Sequence, residues 1–327
     1  MKNKIQNNIH CHTTHLPLVS IGIPTFNRPE LLRQALESAR SQTYPNLEIL
    51  VSDNESTDAQ TSKILAEASA IDFRIKTYRH KKDIGAAANF EFLLNSATGD
   101  FFTWLADDDL MHPTCIKLLV AAHKQNPRLV CAFSDVTILD INGHSLGTMK
   151  HAALKFSPYK SRAEKMRATF FSNPKCQATY GLFRTAIARQ CPFEKSTYKN
   201  MAAGGEYTFL ARMASLGDIV AVPHPLRSYR RHENCSYIVC HRRHSFLDKL
   251  IRSFEYGLRV LNIAIHAEDS VRLRFLFTMH SLSLLFRTTV YYIIKVIPCL
   301  HHACVALRQK MDPAYRTTRG LNHVTPA

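Results

Sequence analysis

Strand-like and helix-like runs alternate through the first 110 residues, and this alternation constrains the fold more than any other feature of the sequence. Short β-branched runs at 18–26 (LVSIGIPTF) and 47–53 (LEILVSD) are typical of buried parallel strands, and further strand patterns follow at 74–80 and 100–106. Helical spacing of apolar residues follows the first three runs, over 28–42, from 59 onward and over 86–97. The alternation predicts an α/β fold with a doubly wound sheet, in which ligands bind outside the carboxyl ends of the strands.

The remainder of the chain is less regular. A helix is predicted after residue 113, a strand over 129–139 (LVCAFSDVTIL), and a loop or hairpin over the polar stretch 140–161. Helical patterns dominate after 246, where apolar residues recur at helical spacing with Lys and Arg between them. Such a basic amphipathic helix either packs on its own domain or lies on an anionic membrane surface, and the sequence leaves both interpretations open.

Composition indicates a globular, basic protein. Hydrophobic residues make up 46% of the 327 positions, and 42 Lys and Arg against 26 Asp and Glu give a net charge of +16. From residue 221 onward there are 16 basic and 6 acidic residues, so most of the excess lies in the last third. This asymmetry favours a polyanionic partner, a phosphorylated substrate or an anionic membrane, without choosing among them.

The cysteines and the polar amino terminus favour a cytoplasmic location. Nine cysteines are irregularly spaced without a CxxC pair, and MKNKIQNNIH does not resemble a signal peptide. The apolar segment 275–307 is interrupted by charged residues and a proline, so it lacks the roughly 18 consecutive apolar residues of a spanning helix. We therefore expect a cytoplasmic protein, with peripheral attachment to the inner face of the cytoplasmic membrane as the open alternative.

Three consecutive carboxylates, Asp107, Asp108 and Asp109, follow the strand-like run that contains the single tryptophan, Trp104. Burying several like charges is costly unless a cation offsets them. Mg²⁺ and Mn²⁺ prefer oxygen ligands, so the triplet is a candidate metal site, and the alternative is an acidic cap for the following helix. Asp53 ends another strand of the same predicted sheet, where it would either contact a nucleobase or ribose or cap a helix. GxGxxG and GxxxxGK[ST] are both missing, which disfavours dinucleotide oxidoreductases and P-loop nucleotidases.

Two motifs follow each other within residues 18–113, VSIGIPTFNRPELLRQALESARSQTYPNLEILVSDNESTD and then DIGAAANFEFLLNSATGDFFTWLADDDLMHP. They resemble the nucleotide-sugar-binding half of the GT-A fold glycosyltransferases, specifically the large inverting family 2. The likeness continues more loosely through 180–188, 204–212 and 225–236 and stops near 245. It implies a GT-A fold, that is a Rossmann-like, doubly wound mixed sheet, here with a helical C-terminal extension.

Several residue roles follow from this resemblance alone. It implies that the nucleotide pocket contains Pro24, Thr25, Asn27 and Arg28, and that Asp53 contacts the base. The family's metal-binding DxD position falls on Asp107, near the ribose, and on Asp108, on a Mn²⁺ or Mg²⁺ ion, with Asp109 orienting them. Many relatives have an aspartate where Ala106 stands here, so which two carboxylates bind the ion stays open.

The resemblance also implies a general base and phosphate contacts in the second half of the domain. Glu206, six residues before Arg212, aligns with the base, although Gly205 replaces the usual glutamate. The alternative role for Glu206 is a helix-stabilising acid in a first turn. His232 resembles a late histidine that approaches the metal or the diphosphate, with Arg230 and Arg231 as phosphate partners. A competing zinc cluster would use His232, Cys235, Cys240, His241 and His244, whose spacing fits no familiar zinc motif.

The predicted organisation is a flexible tail at 1–16, a GT-A domain at 17–240 and a basic helical region at 241–327. Within the domain, 17–113 is the nucleotide-sugar half and 114–240 the acceptor half. The expected function is inverting transfer of a sugar from a nucleoside-diphosphate sugar to a saccharide or lipid-linked acceptor, in cell-surface polysaccharide or glycolipid synthesis. The alternatives are a catalytically inactive nucleotide-sugar-binding or scaffold protein and, from charge alone, a nucleic-acid-binding protein. The last has no recognisable motif, so no nucleic-acid partner is expected.

Overall fold

A computed structural model describes residues 16–150, 177–193 and 205–233, together with seven single positions between 248 and 263. The chain divides into two compact units. The first contains the described residues 16–150, 177–192 and 216–231. The second contains residues 193, 205–215, 232 and 233 and the seven single positions, and each of these single positions is helical.

The described elements alternate as the sequence predicts. The strands are β1 (Val19–Thr25), β2 (Leu47–Asp53), β3 (Ile75–Arg79), β4 (Phe101–Trp104), β5 (Leu110–Met111), β6 (Leu129–Leu139), β7 (Ser145–Met149), β8 (Leu182–Arg184) and β9 (Asp218–Arg230). The α-helices are α1 (Pro29–Arg40), α2 (Ala59–Ile71), α3 (Ala86–Ser96), α4 (Cys115–Gln125), α5 (Thr185–Ala188) and α6 (Gly205–Leu216), and Gln177–Tyr180 is a short 3-10 helix.

All nine described strands form one mixed sheet in the first unit, in the order β3-β2-β1-β4-β8-β6-β9-β5, with β7 on β6. Strands β3, β2, β1 and β4 run parallel, whereas β8 is antiparallel to both β4 and β6. The parallel part confirms the α/β prediction. Of the loop or hairpin predicted over 140–161, the described part forms a hairpin, because β7 pairs antiparallel with β6.

The central strands are buried on both faces. All seven residues of β1 and all seven of β2 are buried, as expected for parallel strands covered by helices. Gly22 permits a close approach within this layer, because a Cβ atom there would lie 2.8 Å from the ring of Phe102. Helix α1 turns Leu32, Ala35, Leu36 and Ala39 toward the core.

Asp58 caps a helix, whereas the aspartate triplet at 107–109 does not. Asp58 caps α2, since its side chain accepts a 2.7 Å hydrogen bond from the amide of Thr61, and this confirms the helix predicted to begin near Ala59. Helix α4, in contrast, begins after Thr114 without a side-chain cap. The triplet Asp107 to Asp109 therefore does not cap α4.

Several predictions concern residues outside the described part of the chain. These are the tail up to residue 15, the zinc alternative from Cys235 onward and most of the basic region 241–327. Among the residues that the structure describes, no helix combines the length and the apolarity needed to cross a membrane.

Candidate active site

The candidate site lies at the carboxyl ends of the parallel strands. Strand β1 pairs with β2 on one side and β4 on the other, with Thr25 opposite Asp53 and Gly22 opposite Trp104. After Trp104 the chain leaves the sheet, and the aspartate triplet follows directly. Parallel pairing therefore places the loops after β1, β2 and β4 at one edge, where α/β proteins bind ligands.

Asp107 and Asp108 converge on one point, which is occupied by a guanidinium nitrogen of Arg28. The Nη1 atom of Arg28 lies 3.1 Å from Oδ1 of Asp107 and 2.7 Å from Oδ2 of Asp108. The other oxygen of Asp107 accepts hydrogen bonds from the hydroxyl of Thr25 at 2.9 Å and the amide of Phe26 at 3.4 Å. Thr25 and Phe26, at the start of the β1–α1 connection, thus orient the carboxylate of Asp107. The guanidinium of Arg28 contacts the carboxylates of both Asp107 and Asp108.

The carboxylates retain an unfavourable electrostatic environment despite these partners. Burial raises the pKa of Asp107 to about 6, and the charge of Asp108 adds to the rise, against the lowering effect of Arg28 and Thr25. Burial and the charge of Asp108 also raise the pKa of Asp109 well above its usual range. At neutral pH the site therefore favours an additional positive charge.

Asp109 faces a different set of partners from its two neighbours. Its Oδ1 atom accepts a 2.9 Å hydrogen bond from the main-chain amide of Arg230. The charge of Arg227 lowers its pKa, against the rise caused by burial. Arg227 is itself buried and donates to the carbonyl of Trp104 at 2.9 Å and to the hydroxyl of Thr103. Asp109 and Arg227 thus belong to the framework that fixes the end of β4. The sequence analysis did not predict a role for Arg227.

Arg230 and Arg231, the predicted phosphate partners, occupy different environments. The Arg230 side chain is 2% exposed and donates from Nη2 to Oε1 of Gln34 on α1 at 2.8 Å. Its Nε and Nη1 atoms are buried and have no hydrogen-bond partner within the described residues. Arg231 is exposed, and its amide donates to the carbonyl of Leu139. Arg230 is therefore buried beside α1, and Arg231 is the more accessible cation.

The loops after β1 and β2 are joined by hydrogen bonds. The amide of Asn27 donates to the hydroxyl of Ser56 at 2.8 Å, and Oδ1 of Asn27 accepts from the amide of Thr57 at 2.7 Å. Asn27 adopts a left-handed backbone conformation with φ of 54°, which asparagine tolerates better than most residues. Pro24 is buried within β1 beside Ser52. The predicted pocket residues of the first loop therefore lie together and are held by the second loop.

Asp53, the predicted base contact, is fully buried and has partners on both oxygens. Oδ1 accepts a 2.9 Å hydrogen bond from the amide of Ser56. Oδ2 lies 2.6 Å from Nη1 of Arg79, the residue opposite it on β3. The Arg79 side chain is 48% exposed, whereas that of Asp53 has no exposed surface. Sequence analysis missed Arg79, which the strand register would have placed beside Asp53.

Glu206 and His232, the predicted base and metal neighbour, belong to the second unit. Glu206 lies half-buried in the first turn of α6. His232 is half-buried and follows the last residue of the first unit. The first-turn position of Glu206 suits both a general base and a helix-stabilising acid.

The donor set of the first unit suits a hard divalent cation. The described residues include no group of three or more His, Cys, Asp or Glu side chains that would hold a metal unaided. Mg²⁺, however, is commonly held by one or two carboxylates together with substrate phosphates and water. Asp107 and Asp108 provide two such oxygens directed at one point, where burial and the neighbouring carboxylate disfavour the charged form of Asp107 unless a cation offsets it. Residues of this type and arrangement fit an ion shared with a phosphorylated substrate.

The parallel α/β sheet, with Asp53 at the end of β2, the aspartate triplet after β4 and a mixed continuation through β8, β6 and β9, matches the predicted GT-A class of glycosyltransferase folds. Within that class, the model of the family described as glycosyl transferase family 2 matches residues 20–191, which is more than half of the chain. The chain belongs to glycosyl transferase family 2.

Relatives by sequence include glycosyltransferases from bacteria. An uncharacterized glycosyltransferase of Haemophilus influenzae is 27% identical over 268 residues, covering 79% of each protein. A Campylobacter jejuni protein named GalNAc(5)-diNAcBac-PP-undecaprenol beta-1,3-glucosyltransferase is 38% identical over 95 residues, 29% of this chain and 30% of that protein. An uncharacterized glycosyltransferase of Rickettsia bellii is 30% identical over 135 residues, 41% of this chain and 19% of the relative. The chain thus matches less than a fifth of that last protein.

Solved structures with the same fold include two proteins that have been determined with a nucleotide sugar bound. TarS of S. aureus, residues 1–349, has a TM-score of 0.59 at 16% identity, and the match covers 85% of this chain and 72% of the TarS chain. Its complexes with UDP and with UDP-GlcNAc are also similar to this chain. A mannosyltransferase of Pyrobaculum calidifontis in complex with GDP-Man and Mn²⁺ has a TM-score of 0.56 at 14% identity, covering 93% and 83% of the two chains. These likenesses confirm the predicted GT-A fold.

Proposed function

We propose that this chain is an inverting, divalent-metal-dependent glycosyltransferase. It moves a hexosyl or related sugar from a nucleoside-diphosphate sugar to a hydroxyl group of a saccharide or lipid-linked acceptor, in the synthesis of a cell-surface polysaccharide or glycolipid. The observation that supports this most directly is the convergence of Asp107 and Asp108 on one point at the carboxyl edge of the parallel sheet.

Asp107 and Asp108 would hold the ion, with His232 as a further candidate ligand. A bound Mn²⁺ or Mg²⁺ would supply Lewis-acid stabilisation of the negative charge on the departing diphosphate. Thr25 and the amide of Phe26 orient Asp107 for this role through their hydrogen bonds. Arg28 partly offsets the charge of the same two carboxylates in the protein alone, so it stabilises the site before the donor arrives.

The attacking hydroxyl group of the acceptor must lose its proton, so the reaction requires one base on the acceptor side. Glu206 would accept the proton of the attacking hydroxyl as the new bond to the anomeric carbon forms and the bond to the diphosphate breaks. A single displacement inverts the configuration, so no carboxylate nucleophile is required. Arg231, exposed at the end of β9, and Arg230 would add positive charge for the leaving diphosphate.

The named relatives support the substrate classes of this proposal. TarS and the mannosyltransferase are described with UDP-GlcNAc and with GDP-Man and Mn²⁺, which supports a nucleotide-sugar donor and a divalent metal. The name of the Campylobacter jejuni relative describes an undecaprenol-linked substrate, which supports a lipid-linked acceptor. Peripheral binding to an anionic membrane would bring the enzyme to such an acceptor, and the basic last third of the chain suits it. Co-sedimentation with anionic vesicles at low salt tests that location, and failure to bind there would contradict it.

A panel of nucleotide sugars tests the function. We expect at least one donor to raise the melting temperature and to be turned over only with Mn²⁺ or Mg²⁺. Asp108→Ala should abolish the metal-dependent shift, whereas Glu206→Gln should keep it and lower transfer by roughly 10²–10⁴-fold. Glu37→Gln, which replaces an exposed carboxylate on α1, is the matched control and should change neither the metal-dependent shift in melting temperature nor the rate of transfer. A panel without any metal-dependent shift would contradict the proposal, and full activity of Glu206→Gln would contradict only the base assignment.

A further inference from the structure

Arg79 closes the position from which Asp53 was expected to contact the nucleobase. The two residues are opposite each other at the ends of β3 and β2, and Nη1 of Arg79 lies 2.6 Å from Oδ2 of Asp53. The remaining oxygen of Asp53 is bound to the amide of Ser56, and the aspartate has no exposed surface. The outermost polar group at this point of the sheet edge is therefore the guanidinium of Arg79.

The guanidinium is fixed in place and still has donors to spare. Nη1 also donates to the hydroxyl of Ser62 on α2 at 2.9 Å, and Nη2 donates to the carbonyl of Ser56 at 2.7 Å. An arginine side chain has five N–H groups, and these contacts with Asp53, Ser62 and Ser56 use three of them. The N–H of Nε and the second N–H of Nη2 have no protein acceptor within the described part of the chain. The side chain is 48% exposed, so a ligand can reach it.

We infer that Arg79, and not Asp53, contacts the nucleobase and selects bases with a carbonyl group, O4 of uracil or O6 of guanine, at the position where cytosine and adenine have an amino group. This inference rests on the proposed function, because it concerns the donor of that same reaction. Arginine offers only donors, which match the oxygen acceptors of guanine and of uracil. The amino groups of adenine and cytosine would place a donor against a donor. Asp53 then acts as a positioning residue that holds Arg79 in a single orientation.

Nucleoside diphosphates that differ only in the base test this assignment. Calorimetric titration of the full chain with UDP, GDP, CDP and ADP in the presence of Mn²⁺ should show UDP or GDP binding at least about tenfold more tightly than CDP and ADP. Arg79→Met, which keeps the length of the side chain, should weaken binding of the preferred nucleotide by about 10–100-fold and abolish the preference. Arg33→Met, which replaces an exposed arginine on α1, is the control and should keep both the affinity for the preferred nucleotide and the preference for UDP or GDP.

Two further measurements separate base contact from a purely structural role. Pyrophosphate with Mn²⁺ lacks a base, so Arg79→Met should bind it as the wild type does, whereas a collapsed β2–α2 loop would weaken it as well. Asp53→Asn should keep the preference for UDP or GDP. A preference that survives in Arg79→Met and disappears in Asp53→Asn would overturn the assignment. Wild-type protein that binds none of the four nucleotides would instead contradict the proposed function itself.

Discussion

Replacing Asp107 with asparagine tests the charge balance of the carboxylate pair. Asp107 is buried beside Asp108, and its pKa rises from an ordinary value of 3.8 to about 6. A carboxyl group whose pKa is raised on folding stabilises the protein fully below the unfolded pKa, and this contribution is lost as the pH rises through the folded value. Wild-type protein should therefore lose stability relative to Asp107→Asn between about pH 4 and pH 7.

The size of this loss follows from the shift. A change of about two pKa units corresponds to about 3 kcal/mol, because each unit is worth about 1.4 kcal/mol. Urea denaturation of both proteins in EDTA, at intervals between pH 4 and pH 7, measures the difference directly. The free energy of unfolding of Asp107→Asn minus that of the wild type should grow by about this amount across the interval. Saturating Mn²⁺ should shrink the growth, because the ion offsets the buried charge.

Asp72 provides a matched control with the opposite sign. The hydrogen bond from Arg74 lowers the pKa of this carboxyl to about 2, so its ionised form stabilises the fold. Wild-type protein should gain stability relative to Asp72→Asn as the pH rises from about 2 to about 4, by about 2 kcal/mol. A pH-independent difference between the wild type and Asp107→Asn, alongside the expected trend for Asp72→Asn, would refute the electrostatic account of the site.

Two further predictions concern the framework around the site. Asp58→Ala removes the cap of α2 and should lower the free energy of unfolding by about 1 kcal/mol in urea denaturation, with donor binding unchanged; no loss would contradict the cap. Arg227→Met removes the donors to Trp104 and Thr103 and a cation near Asp109, so unfolding at pH 8 should become easier by about 3 kcal/mol. The effect should be smaller at pH 5, where Asp109 is more easily protonated, and a larger effect at pH 5 would contradict this role.

The sequence predicted the strand and helix alternation because local patterns determine it. The strand over 129–139 matches β6 at both ends, and α2 begins at the predicted Ala59 after its cap. The run 100–106 forms a strand only over Phe101–Trp104, and the amide of Leu105 makes one further hydrogen bond to the carbonyl of Gly22 on β1 before the chain leaves the sheet. Strand β8, with three residues, was too short for any periodicity to indicate, and only its antiparallel partners β4 and β6 define it.

The candidate site was predictable in its residue types and not in its pairings. Carboxylates after β2 and β4 meet at one edge because parallel strands place their carboxyl ends together. The contacts of Asp53 with Arg79 and of Asp107 with Arg28 depend on strand register and on the path of a loop, which a single sequence does not specify. Arg227 contacts Trp104, from which it is separated by more than 100 residues in the sequence, so no local pattern indicated this contact.

The central claim is that the Asp107–Asp108 pair binds a divalent ion that in turn holds the donor, and thermodynamic linkage tests it most directly. The dissociation constant of the best-binding nucleoside diphosphate is measured with Mn²⁺ and with EDTA, for the wild type and for Asp108→Asn. The account predicts that Mn²⁺ tightens binding to the wild type by about tenfold or more, within the usual range of coupling energies, and binding to Asp108→Asn by less than about twofold. Equal tightening in both proteins would contradict it, because the ion would then be held elsewhere.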